Sequence, residues 1–147
     1  STVFLINARF GYQEPLGASD TVQYYDRYFI GGESTVRGYQ LRTISPRDSE
    51  TMYAIGGTKM FFANFEWILP IENRFQFALF YDIGGVWLQD QPFFSSEEPM
   101  KSSWGVEARF NLPVFKMPIR LTYGIPLDDV YGQDKGGSLE FTVGTIF

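Results

Sequence analysis

The chain of 147 residues contains neither cysteine nor histidine. A disulfide framework, the usual structural zinc sites and a histidine-dependent catalytic triad are therefore excluded. No run of 18 apolar residues occurs, so a transmembrane helix is not expected. The formal net charge of −5 argues against the basic patch that nucleic-acid binding requires. We expect no nucleic-acid partner, no bound metal and no cofactor.

Aromatic and turn-forming residues, by contrast, are abundant. Aromatic side chains make up 18% of the chain, which also has 15 glycines and 8 prolines. This composition favours β-structure with many turns. The length suits one domain.

Six segments alternate in polarity with a period of two residues. In each, one face is apolar and rich in aromatic residues, whereas the other carries charges and glycines. This period predicts β-strands. The predicted strands are residues 2–12, 58–69, 74–88, 102–112, 118–125 and 138–147.

Two architectures fit six such strands: a soluble sandwich with the apolar faces inward, or an antiparallel transmembrane β-barrel with them outward. The predicted strands have 8 to 15 residues, which bracket the roughly 9–11 needed to cross a bilayer at a tilt. The connections alternate between long and short, as they do in outer-membrane barrels, and this favours the barrel. The predicted connections are residues 13–57, 70–73, 89–101, 113–117 and 126–137.

Six strands are fewer than the roughly eight of the smallest transmembrane barrels. We therefore expect this chain to be the C-terminal part of a longer protein, with further strands to complete the wall. As a free fragment it would expose two unpaired strand edges, which would have to pair with another sheet or aggregate.

The long connection, residues 13–57, contains the stretch Ile-Gly-Gly-Glu-Ser-Thr-Val-Arg-Gly-Tyr at residues 30–39. Its glycines permit backbone conformations with positive φ, so the loop can fold back tightly and present Arg37 at a turn. A guanidinium keeps its charge and needs acidic or carbonyl partners. A solvated surface arginine would be the ordinary interpretation of an Arg-Gly pair alone.

The whole stretch, with Tyr25 to Phe29 before it, resembles the Val-Arg-Gly-Phe/Tyr motif of the BamA-type outer-membrane barrel assembly family. The resemblance implies the last six strands of a 16-stranded barrel, with POTRA domains before the barrel. It also implies a non-enzymatic factor of the bacterial outer membrane that inserts other barrel proteins. Its partners would be outer-membrane lipids, unfolded outer-membrane protein clients and accessory periplasmic lipoproteins.

If the aromatic faces meet lipid, the charged residues opposite them face the lumen, among them Glu66, Asp82, Glu107, Arg109 and Arg120. Arg37 would be costly in lipid, but lumen carboxylates can satisfy it if the loop tucks inside. We predict that Glu66 and Asp82 hold Arg37, with Phe80 packed beside it. The stretches Phe65-Glu66-Trp67 and Phe80-Tyr81-Asp82-Ile83-Gly84 also resemble strands of the same family. The predicted lumen cluster is Arg37, Gly38, Tyr39, Glu66, Phe80 and Asp82.

The last predicted strand has apolar residues at every second position: Leu139, Phe141, Val143 and Phe147. It resembles the β-signal of outer-membrane proteins, and Gly144 would allow a bend or a close backbone approach. In the resembled family this strand pairs weakly with the first, which implies a lateral seam where incoming strands add to an open edge. The alternation of connections directs its C-terminus toward the periplasm.

Three alternatives remain beside an insertase. A polypeptide-secreting transporter, TamA-like or of two-partner secretion, would share the Arg-Gly-Tyr loop. A passive porin would give this loop no role, and a soluble sandwich would place the aromatic faces inward. Catalysis is not expected, because Ser34 has no evident base beside it. Asp128 and Asp129 do not form a spaced calcium loop.

Overall fold

A computed structural model of the chain describes residues 2–14, 26–32, 35–95, 99–111, 117–128 and 136–143. These residues form one six-stranded antiparallel sheet in which each strand pairs with the next along the chain. The strands are β1 (Val3–Tyr12), β2 (Lys59–Glu72), β3 (Phe75–Trp87), β4 (Lys101–Asn111), β5 (Pro118–Pro126) and β6 (Ser138–Val143). Because the described residues form a single sheet, they do not form the sandwich that the sequence also allowed.

Strand ends differ from the predicted ones by at most one residue, except at the ends of β2 and β6. β2 ends three residues later than predicted, and residues 144–147 of the predicted last strand lie outside the described residues. β2 continues through Pro70 to Glu72, and its pairing with β3 shifts between those two residues. Proline cannot donate to the sheet ladder, and a bulge accommodates it at a strand end. The predicted turn 70–73 is therefore wrong, because only Asn73 and Arg74 lie between β2 and β3.

The two faces of the sheet carry different residues. One face, here called the charged face, carries Glu66, Asp82 and Glu107, which are at most 4% exposed. The other, called the aromatic face, carries large side chains whose exposed fractions are far greater. Those exposed by 39% to 45% include Phe65, Trp67, Tyr81, Trp104 and Tyr123.

Residues 13–58 are called the motif loop, and the described part of this loop covers the charged face. An apolar core joins the described part of the loop to the ends of β2 and β3. The buried members of this core are Ile30, Val36, Tyr39, Ile44, Met60, Phe62 and Val86. Besides Phe80, which the sequence predicted there, the charged face therefore includes the apolar residues Met60, Phe62 and Val86, which had not been assigned to it.

A second aromatic cluster lies where the aromatic face meets the connection from β3 to β4. Trp87 was predicted on the aromatic face, yet it is fully buried. Phe93 and Phe94 pack edge-on against its ring, with centroid distances of 5.7 and 5.3 Å. The described part of the connection around Phe93 and Phe94 thus packs against the end of β3.

Among the described residues, no helix meets the length and apolarity that crossing a bilayer requires.

Candidate functional site

The motif loop is shaped by short backbone pairings. Tyr28 pairs with Gly57, and Ile30 pairs with Ile44. Directly after Ile30, Gly31 and Gly32 have φ of 120° and 108°, a backbone conformation that residues with a side chain rarely adopt. The chain reverses there and delivers Arg37 to the charged face.

Both carboxylate oxygens of Asp82, on β3, accept hydrogen bonds from Arg37. The Nε and Nη2 groups of Arg37 donate to Asp82 at 2.7 and 2.8 Å, and the backbone N–H of Arg37 donates to the same carboxylate at 2.9 Å. Paired, parallel hydrogen bonds of this kind fix the orientation of a guanidinium as well as its position. Neither side chain is exposed.

Glu66 and Phe80 complete the immediate surroundings of Arg37. The Nη1 group donates to Glu66 on β2 at 2.5 Å. The guanidinium carbon lies 4.0 Å from the centroid of the Phe80 ring, within the range of a cation–π contact. Glu66 and Phe80 are cross-strand partners in the sheet, so the register of β2 and β3 sets this geometry. The structure thus brings together the predicted residues Arg37, Glu66, Phe80 and Asp82.

The cluster extends to three further charged residues, whose contacts had not been predicted. Arg109 donates to Glu66 at 2.8 Å and to Glu107 at 2.6 Å. Arg120 donates to Glu107 at 2.7 Å. Glu107 also lies 3.7 Å from the Nη1 atom of Arg37. Parity had placed these residues on one face, but their contacts depend on strand register, which parity does not reveal.

The charge of this cluster balances. It holds three arginines, Arg37, Arg109 and Arg120, against three carboxylates, Glu66, Asp82 and Glu107. Burial alone would lower the pKa of Arg37, but its hydrogen bonds to Asp82 and the charges of Asp82, Glu66 and Glu107 raise the pKa instead. Arg37 therefore stays charged where it lies.

Gly38 and Tyr39, also predicted for the cluster, contact β5 and β4 and so hold the motif loop against the sheet. Gly38 has φ of 91°, and a Cβ built on Gly124 of β5 would lie 2.7 Å from the Gly38 Cα. The Tyr39 hydroxyl donates to the Ser102 carbonyl at 2.7 Å and accepts from the Asp128 backbone N–H at 3.2 Å. Burial raises the pKa of Tyr39 to about 12.

Asp128, considered above as a calcium ligand, has protein partners instead. Its carboxylate accepts from the backbone N–H of Ser102 at 2.8 Å and from the Ser102 hydroxyl at 3.1 Å. Asp129 lies outside the described residues. Among the described residues, no three potential metal ligands come together.

On the predicted seam strand, β6, the side chains of Leu139, Phe141 and Val143 are 70%, 64% and 49% exposed. They lie on the aromatic face, opposite Tyr123, Leu121 and Ile119 of β5. Within the described residues β6 has a strand neighbour on one side only. Gly144 and Phe147 lie outside these residues.

Comparison with known proteins places this arrangement among relatives. The Omp85 superfamily domain matches residues 1–147. Over 129 residues the chain is 36% identical to the outer membrane protein assembly factor BamA of Nitratidesulfovibrio vulgaris (strain Hildenborough), covering 86% of this chain and 16% of that protein.

The fold is similar to the crystal structure of BamA from Haemophilus ducreyi lacking POTRA domains 1–3. The TM-score is 0.74 at 21% identity, over 95% of this chain and 30% of that one. This likeness confirms the predicted all-β antiparallel fold. The chain spans less than a third of the length of either relative.

Proposed function

This chain belongs to the Omp85 superfamily, and we propose that it forms part of the wall of a bacterial outer-membrane barrel that folds and inserts other outer-membrane proteins. One observation carries the proposal: a buried arginine, Arg37, joins the motif loop to the charged face, while the opposite face exposes aromatic side chains. A soluble protein would bury the second face and hydrate the first. A barrel wall between lipid and lumen requires the reverse.

In this proposal the aromatic face meets outer-membrane lipids and the charged face lines the lumen. Trp67, Tyr81 and Trp104 would lie against hydrocarbon or the lipid interface, where aromatic side chains are favoured. The charges would be costly in lipid, but in the lumen each has a partner of opposite sign. Arg37, with Glu66 and Asp82, acts as a structural brace and not as a catalytic residue.

The open edge of β6 is the proposed site where a client protein binds. An open edge offers backbone N–H and C=O groups, so an unfolded client can add its own strand there by β-augmentation. Leu139, Phe141 and Val143 would keep the aromatic face continuous across this lateral seam. Gly144 and Phe147 would complete the β-signal that the sequence predicts. Remaining barrel strands, POTRA domains and accessory periplasmic lipoproteins are the other proposed partners.

Orientation follows from the connections. The two-residue turn after β2, the end of β4 and the start of β5 lie at one end of the sheet, because consecutive strands are antiparallel. β6 runs toward that same end. Since outer-membrane barrels have their short turns on the periplasmic side, we place the end of β6 at the periplasm.

Insertion of a client tests the proposal. The full-length protein is reconstituted in liposomes, and an unfolded outer-membrane protein is added. We expect the client to fold faster than in empty liposomes, measured as its heat-modifiable band on a gel. A secreted polypeptide is offered in parallel. Passage of that polypeptide without acceleration of client folding would favour the transporter alternative and overturn the proposal.

A further inference from the structure

We propose that the sheet side of the Arg37 cluster is a preformed receptor for one guanidinium group, which a free guanidinium cation can occupy when the Arg37 side chain is removed. The inference rests on the proposed role of Arg37 as a brace and not on assembly activity. Three properties of the strands carry it: charge, shape and rigidity.

Without the Arg37 side chain, the cluster has one unbalanced negative charge. Without Arg37, the strands contribute three carboxylates, Glu66, Asp82 and Glu107, against two arginines, Arg109 and Arg120. One negative charge is left over. Glu140, which faces the same side opposite Thr122, adds no positive charge. A vacant cluster therefore favours a monovalent cation.

The shape selects a planar cation with a fork of N–H donors. Asp82 accepts from two donors side by side, and Glu66 accepts from a third at an angle to them. The Phe80 ring offers a flat face 4.0 Å away. A guanidinium satisfies all three features, whereas sodium has no N–H donors and a tetramethylammonium ion can donate no hydrogen bond.

The receptor does not depend on the motif loop for its form. Glu66, Phe80 and Gly105 form one cross-strand row of the sheet, so the floor under the guanidinium is set by strand pairing. Glu107 is held by Arg120 and by the Thr122 hydroxyl at 2.7 Å. Arg109 also anchors Glu66, at 2.8 Å. Each carboxylate other than Asp82 keeps a strand partner when Arg37 is absent.

Arg109 is the most exposed charged residue of the cluster. The Arg109 side chain is 18% exposed, whereas those of Arg37, Glu66 and Glu107 are at most 1% exposed. Removing the Arg37 side chain would leave a space next to this exposed member. A small cation can therefore reach the receptor from the lumen.

Chemical rescue tests the inference. The Arg37→Ala variant of the full-length protein is heated in detergent, and its unfolding midpoint is read from the heat-modifiable band. We expect guanidinium chloride, at concentrations far below those that denature, to raise the midpoint in a saturable manner, because a ligand that binds only the folded state stabilises it. Sodium chloride and tetramethylammonium chloride of equal ionic strength should not.

Arginine amide forms a second arm of the experiment. A rise with guanidinium alone would mean that the receptor admits only the small cation. A rise with both would mean that an arginine side chain of another peptide can also enter. Either result supports the receptor.

Two variants control for specificity. Arg37→Ala/Asp82→Asn removes the leftover negative charge and one of the two acceptor oxygens of residue 82. Guanidinium should therefore not raise the unfolding midpoint of this variant. Arg9→Ala removes an exposed arginine of the same face, and guanidinium should not stabilise it. A rise in either variant, or an equal rise in sodium chloride, would overturn the proposal.

If Arg37→Ala does not fold by itself, the yield of refolding from urea replaces the midpoint. Folded protein that forms only with guanidinium present supports the receptor, and an equal yield without it contradicts the receptor. Neither readout involves a client, so failure of the assembly function would be seen separately.

Discussion

The two faces of the sheet show opposite solutions to the burial of side chains. On the charged face, Glu66, Asp82 and Glu107 are nearly inaccessible, and three arginines neutralise them. On the aromatic face, Phe65, Trp67 and Tyr81 are about two-fifths exposed. Charges are buried and aromatic residues are exposed, which reverses the usual order in a soluble protein. The difference indicates that two distinct environments act on one sheet.

The charged face also needs a covering that the aromatic face does not. Buried charges are stable only when paired and hydrogen-bonded, and the strands alone lack one cation. The motif loop supplies it through Arg37, and its apolar residues pack on Met60, Phe62 and Val86. Loop and wall are therefore complementary halves of one structure.

Removal of the Arg37 side chain should lower the stability of the protein more than any other change to the charged face. In Arg37→Ala, Asp82 is left buried without its main partner, and breaking a buried ion pair costs about 3–5 kcal/mol. We expect the heat-modifiable band of the full-length protein to be lost at a lower temperature. Arg9→Ala, on the exposed part of the same face, serves as the control. Equal midpoints for Arg37→Ala and the wild type would refute the brace.

A charged substitution on the aromatic face tests whether this face contacts lipid. Trp67→Arg should destabilise the barrel in a bilayer by about 2–4 kcal/mol if the position lies near the midplane, because arginine is costly on the lipid side. Trp67→Leu keeps the position apolar and should cost less. The free energy of unfolding is measured by urea titration in liposomes. A Trp67→Arg protein as stable as Trp67→Leu would mean that this face does not meet lipid.

The fit between loop and wall can be disturbed without changing any charge. Gly124→Val places a Cβ 2.7 Å from the Gly38 Cα, which is closer than such atoms can pack, so the loop must shift. Overpacking of this kind costs about 1–3 kcal/mol. We expect faster proteolysis of the motif loop in this variant. Gly136→Ala is a suitable control, since a Cβ there meets nothing within 4 Å. Equal proteolysis in both variants would contradict the close approach.

The smallest effect is expected from Tyr39→Phe, which removes hydrogen bonds to Ser102 and Asp128 and should cost about 1 kcal/mol. The wild type should also lose stability as the pH rises from about 10, the ordinary tyrosine pKa, through the raised pKa of about 12. The sign follows because the folded state favours the protonated hydroxyl. Tyr39→Phe should lack this contribution in a urea titration at alkaline pH. An unchanged pH dependence would exclude Tyr39 as its source.

Much of the wall could be predicted from the sequence, because a two-residue period assigns each side chain to a face. This placed Glu66, Phe80 and Asp82 together, and the motif then supplied Arg37 as their partner. The Glu107, Arg109 and Arg120 contacts could not be predicted, since they depend on the register of β4 and β5.

Local chain reversals were the other source of error. The bulge at Pro70 extended β2 into a predicted turn, because a strand can continue past a residue that lacks an N–H. Trp87 is buried by Phe93 and Phe94, which approach it only once the connection folds back. Such contacts have no periodic signature in the sequence.

A double-mutant cycle between Arg37 and Asp82 tests the central claim most directly. The free energy of unfolding of the full-length protein is measured for Arg37→Ala, Asp82→Ala and the double variant. Residues of one buried network couple by roughly 0.5–3 kcal/mol, and this bidentate pair should lie in the upper part of that range. Additive effects of the two substitutions would mean that Arg37 does not brace the wall through Asp82.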